Sequence, residues 1–197
     1  MISINIIAIL VSSLCFIFLK FHINKGLQLL IITLITSLIF ILPGEIINYN
    51  IYAFFGQLSI TSLALLSCFI IQSMFNMQPT ITSKEKQILC VLIGATAFVF
   101  YPLALGLTAF DPYSLGFQPK TLSLVLALTA IPFLFFGFLK ITAIIAVTLT
   151  AFNYSILNSN NLWDYLIDPL LAIYCIGFCI KGLTTNYLMD NKTNENI

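Results

Sequence analysis

The sequence predicts an all-α fold, a polytopic bundle of about seven transmembrane helices, and three observations predict it. Hydrophobic residues make up 60% of the 197 positions and charged residues only 8%, against about 25% charged in a typical soluble domain. The mean hydropathy is +1.05. The charges also cluster in short groups, separated by apolar runs near the length of roughly 17–25 residues that crosses a bilayer as a helix. A globule this poor in solvated side chains could not cover its surface in water, so lipid is the solvent that fits.

The elements follow in order along the chain. Span one, 2–19, is closed by Lys20, His22 and Lys25. It lacks the basic start, the cleavage site and the short apolar stretch (about 7–15 residues) of a secretory leader, so it reads as a helix. Span two, 27–42, stops at Pro43-Gly44, a pair that does not continue a helix. Span three is placed at 55–77, after a polar and aromatic connection that begins at Glu45. Span four, 87–107, follows the cluster Lys84-Glu85-Lys86. The segment 108–120 carries Pro112, Gly116 and Pro119 and reads as a loop.

Span five is 121–138, and Lys140 marks a tight turn into span six, 141–157. A polar stretch, 158–168, leads to span seven, 169–188. Lys181 falls inside that last span, about 18 Å from Pro169 at 1.5 Å per residue, where its long side chain can reach the inner surface. Residues 1–189 form a single transmembrane domain and 190–197 a polar cytoplasmic tail. On span six Thr142, Ala146 and Thr150 recur every four residues, as do Ala143, Val147 and Ala151. Small residues at this spacing let helix backbones approach closely in lipid, and packing within the bundle is preferred over a dimer seam.

Lysine placement orients the bundle. With loops assigned alternately, Lys20, Lys25, Lys84, Lys86, Lys140, Lys181 and Lys192 fall on one side and Lys120 alone on the other. The positive-inside rule makes the first side cytoplasmic, with the N-terminus out and the C-terminus in. The arginine-free composition, rich in Ile and Asn, suits an AT-rich genome, and a bacterial inner membrane is the expected setting.

Several function classes are excluded by what is missing. A net charge of +1 and no arginine leave no basic face for nucleic acid. There is no metalloprotease, nucleophile-elbow or phosphate-loop motif, and His22 beside two lysines reads as an interfacial side chain. The five cysteines lie in apolar runs and form no disulfide framework. Cys175 and Cys179 share a helix face with no histidine or further thiol beside them in sequence. They read as packing residues rather than as a redox or metal pair.

The polar residues concentrate on the outer side: Glu45, Gln57, Asp111, Asn153 and Asp164 among them, interleaved with Tyr49, Tyr113, Trp163 and Tyr165. An aromatic belt at the headgroup level explains part of this, but the inner side has almost none. Asp168-Pro169 suits a helix start, with aspartate as N-cap and proline at the first helical position. Asp111-Pro112 suits a turn or short helix. Asp164 sits between two aromatic rings, a setting that favours desolvation, and Glu45 has no nearby lysine.

The candidate outer-face site is therefore Glu45, Asp111, Tyr113, Asp164 and Asp168. If these carboxylates converge they could hold a divalent cation, the one cofactor this reading admits, or supply an acid and a base. Scattered caps and interfacial acids account for them equally well. Three functions are carried forward. The first is an accessory or binding component of the envelope that contacts another membrane protein through its outer face. The second is a membrane-embedded enzyme for a lipid-linked substrate at the outer leaflet. The third is a small transporter of an uncharged solute. The lipid bilayer is the partner common to all three.

Overall fold

Helix ends in this chain are set by side chains and glycines more than by hydropathy. The computed structural model describes residues 57–75 and 77–194, together with scattered positions between 24 and 37. The first expected span, much of the second and Glu45 lie outside the described residues. Every regular element among those described is a helix: α1 Ile60–Phe75, α2 Ser83–Ala104, a 3-10 turn Pro112–Phe117, α3 Pro119–Phe135, α4 Leu139–Asn153, the short α5 Leu162–Leu166, and α6 Pro169–Asn194.

The start of α2 lies four residues before the expected Gln87, because Thr82 and Glu85 form a capping box. Thr82 Oγ1 accepts the Glu85 N–H at 3.2 Å, and Glu85 Oε2 accepts the Thr82 N–H at 3.0 Å. The same carboxylate reaches a second helix, since Glu85 Oε1 accepts the N–H of Lys140 at the start of α4, 3.2 Å away. Glu85 is buried, and one anion thus serves two helix N-termini, each with its positive dipole end.

Three helices end alike. After α2 the Leu107 N–H returns to the Pro102 carbonyl, after α3 Phe138 returns to Phe133, and after α4 Ile156 returns to Ala151. These are Schellman closures, which need a left-handed residue at the turn. Gly106 (φ 90°) and Gly137 (φ 79°) provide it without strain, but the third position is Ser155 (φ 48°). These closures stop spans four, five and six at Ala104, Phe135 and Asn153, short of the expected 107, 138 and 157. Ser155→Gly is expected to raise the thermal midpoint, with a gain of up to about 1 kcal/mol from relieved left-handed strain. A lower midpoint in a detergent melt would contradict this account.

The main core joins α2, α4 and α6 through Ile93, Ala97, Ile141, Ile144, Leu171 and Cys175. A second cluster unites Ile60, Leu122, Ala151, Leu157, Leu162 and Tyr165. Where α2 crosses α6, a Cβ on Gly94 would lie 3.4 Å from the Cys175 backbone, so the helices meet there backbone to backbone. Cys90 joins this seam, its carbonyl accepting from the Cys179 thiol at 3.5 Å. The thiol pair of α6 therefore does have a third cysteine beside it, supplied by a different helix.

Of the expected packing face on span six, only Ala151 is buried. The inward face of α4 is Ile141, Ile144, Thr148 and Ala151, whereas Ala143, Ala146, Val147 and Thr150 face outward. Ile141 and Ile144 pack with residues of α2 and α6 in the main core, and Thr148 continues the same face.

Among the described residues α2 is the one helix both long and apolar enough to cross a membrane; α1, α3, α4 and the Pro169–Thr184 part of α6 are shorter apolar helices. The fifteen residues of α4 extend about 22 Å. The exterior is apolar on several helices. On α3 only Leu122 is buried, while Leu124, Val125, Leu128, Ile131, Leu134 and Phe135 are exposed. α6 continues to Asn194, into the stretch expected as a tail.

Candidate functional site: a carboxylate and aromatic pocket at the helix ends

α1 and α6 begin at the same end of the bundle, and Asp168 ties them together. Its Oδ1 accepts the Leu171 N–H at 2.9 Å, which makes it the N-cap of α6, as the Asp-Pro pair implied. Its Oδ2 accepts the Ser59 N–H at 3.0 Å and the Ser59 hydroxyl at 2.8 Å, and also the Ser62 hydroxyl. Ser59 is in turn the cap of α1, taking the Ser62 N–H at 3.1 Å. Asp168 is 2% exposed, so capping is only half of its role. Four donors and two helix dipoles hold the buried carboxylate.

Two loops close over this end. Asn161 starts α5 by accepting the Trp163 N–H at 2.9 Å, and its Nδ2 donates to the Tyr113 carbonyl at 3.0 Å. The Trp163 indole Nε1 donates to the Pro112 carbonyl at 2.9 Å. Gly116 lies directly beneath Asn161 and Trp163. The Tyr113 hydroxyl donates to both oxygens of Asp164, at 3.2 and 3.1 Å, and the Ser159 hydroxyl donates to Oδ2 as well. Burial, followed by the Asp164 charge, pushes the Tyr113 phenol above its ordinary pKa, so it stays protonated and donating at neutral pH. Phe100 stacks obliquely on Trp163, with ring centroids 4.5 Å apart.

Between these loops and the ends of α1, α2 and α6 lies a cavity of about 400 Å³. Phe100, Tyr101, Tyr113 and Trp163 give it an aromatic wall, and Gln57, Asp164 and Asp168 bring polar atoms. Not every polar group there is used. Gln57 Nε2 is buried with no hydrogen-bond partner.

No protein-family model matches this chain, and neither a curated protein nor a solved structure shows significant similarity to it. The site is therefore read from its own chemistry.

Of the expected site residues, Tyr113, Asp164 and Asp168 line one cavity. Asp111 does not join them. It caps the 3-10 turn by accepting the Tyr113 N–H at 2.9 Å and is exposed. Glu45 lies outside the described residues, among which no group of three or more His, Cys, Asp or Glu side chains could hold a metal ion. Gln57, Phe100, Tyr101, Ser59, Ser62 and Asn161 complete the site. Asn161 was readable, as an Asn-x-x-Asp start ahead of an apolar pair. Ser59 and Ser62 carry no sequence sign of their link to Asp168.

Proposed function

We propose that this is a multi-pass membrane protein that serves as a binding component of the cell envelope through a pocket at its external end. There it holds a polar group of a membrane partner or a lipid-linked molecule. The observation that carries the reading is how the pocket's polar groups are used. The Asp168 oxygens are filled by four donors, and Asp164 is held by Tyr113 and Ser159. Asp168, saturated by four donors, holds the pocket's shape for recognition rather than transferring protons.

The membrane part of the proposal is supported by the apolar exterior. Soluble monomers rarely expose contiguous apolar patches beyond a few hundred Å², and α3 has a single buried residue. The alternation of spans is supported by the two shared carboxylates, since α1 and α6 start together at Asp168 while α2 and α4 start together at Glu85. The external assignment rests on the lysine bias.

A second reading is favoured by one contact set. Asp164, linked to the hydroxyls of Tyr113 and Ser159, could act as a base in a membrane-embedded enzyme for a lipid-linked substrate. A transporter of uncharged solutes draws less support, because the cavity lies at helix ends and transport sites sit near mid-depth.

The test is topological. Alkaline phosphatase fused after Ser114 is expected to be active, and the same enzyme fused after Ser83 inactive. The reverse pattern places the pocket in the cytoplasm and overturns the proposal.

A further inference from the structure

We infer that the pocket takes an uncharged, hydroxyl-rich ring of the sugar class, a conclusion that rests on the binding reading above and names its ligand. Three features lead to it. The first is charge. Two carboxylates line the cavity and, among the described residues, no lysine, arginine or histidine does, so an anionic headgroup would meet their repulsion.

The second is the pair of unused donors. Gln57 Nε2 is buried and unpartnered, and the Tyr101 hydroxyl makes no hydrogen bond among the described residues. A buried donor such as the Gln57 amide calls for an acceptor oxygen, and the half-buried Tyr101 hydroxyl offers a second donor beside it. A quaternary ammonium group fits the aromatic wall and the carboxylates but has no acceptor to offer. A hydroxyl can accept from Gln57 or Tyr101 and donate to Asp164, so a polyol satisfies both sides at once.

The third is the wall. Trp163 is pinned by its indole N–H on Pro112 and by Phe100, so it stands as a rigid apolar surface for the C–H face of a ring. The volume of about 400 Å³ lies at the small end of the range of roughly 300–1,000 Å³ for ligand cavities. It suits one or two rings, not a long chain.

Trp163 is the chain's one tryptophan, so its emission reports on the pocket directly. The full chain in phosphatidylcholine vesicles would be titrated with free glucose and galactose, and in parallel with vesicles carrying their monoglycosyl diacylglycerols. A saturable emission change with either form is expected. A response to the lipids alone assigns a glycolipid headgroup, and a response to the free sugars assigns a soluble saccharide. Gln57→Leu and Tyr101→Phe are each expected to weaken binding at least tenfold with unchanged thermal midpoints.

Saturation by tetramethylammonium or by phosphatidylglycerol in place of the sugars would overturn the inference. So would silence with every sugar probe, or full affinity in both variants. An inactive Ser114 fusion defeats the envelope reading yet leaves the sugar titration meaningful, so the two failures are distinguishable.

Discussion

Asp168→Ala is expected to lower the stability of the folded chain by at least about 3 kcal/mol, because buried donors left without an acceptor cost roughly 1–3 kcal/mol each. The substitution strands the Ser59 N–H, the Ser59 and Ser62 hydroxyls and the Leu171 N–H together. It also removes the N-cap of α6, worth about 1 kcal/mol by itself. The hydroxyls can rotate toward other acceptors, but the two backbone N–H groups cannot. Asp168→Asn should be milder, about half the loss, because one oxygen still caps Leu171 while the amide nitrogen faces the Ser59 N–H. Thermal melts in detergent and membrane abundance read both variants. A midpoint for Asp168→Ala equal to the parent's would mean that the clamp does not hold the two helices. A double-mutant cycle adds a second check: Ser62→Ala should cost less in the Asp168→Ala background than alone.

Gly116→Ala is the other change with a large expected effect, and it acts through space alone. A Cβ at this position would sit 1.7 Å from Asn161 Oδ1, 2.6 Å from its Cγ and 2.7 Å from Trp163 Cδ1. Asn161 cannot swing aside, since it is fully buried and bonded to both Trp163 and Tyr113. Overpacking of this kind typically costs about 1–3 kcal/mol, and here the upper end is expected. The added methyl should lever Trp163 away from Phe100 and shift its emission to longer wavelength as water gains access. Unchanged emission and an unchanged midpoint would contradict the close approach. Removing the obstacle should restore tolerance, so Gly116→Ala should cost much less on an Asn161→Ala background.

Which of these features could be read from the sequence depends on their range along the chain. Caps are local, and the Thr82-x-x-Glu85 box, the Asn161 start, the Asp168-Pro169 pair and the glycines at 106 and 137 are all written within a few residues of the ends they set. The expected ends 107, 138 and 157 overshot because a hydropathy window runs over glycine and serine without registering the left-handed turn. The inward face of α4 was misjudged for a related reason: small-residue spacing shows where helices can approach, but burial went to Ile141 and Ile144. The pocket combines both cases. Asp164, Asp168 and Tyr113 stood out by their aromatic and proline neighbours, whereas Gln57, Ser59 and Tyr101 join them only through contacts between distant segments.

The two shared carboxylates also bear on the order in which the chain can be completed during synthesis. Glu85 is joined by the Lys140 N–H after 55 further residues, whereas the Ser59 donors wait 109 residues for Asp168. A growing chain can therefore close the Glu85 end first. The start of α1 keeps its polar groups open until α6 emerges with the aspartate that caps it. Ribosome stalling or truncation before that point would leave a nascent protein with one finished end and one unfinished end. The unfinished end is the one that carries Trp163, so its fluorescence should mature only with the arrival of α6.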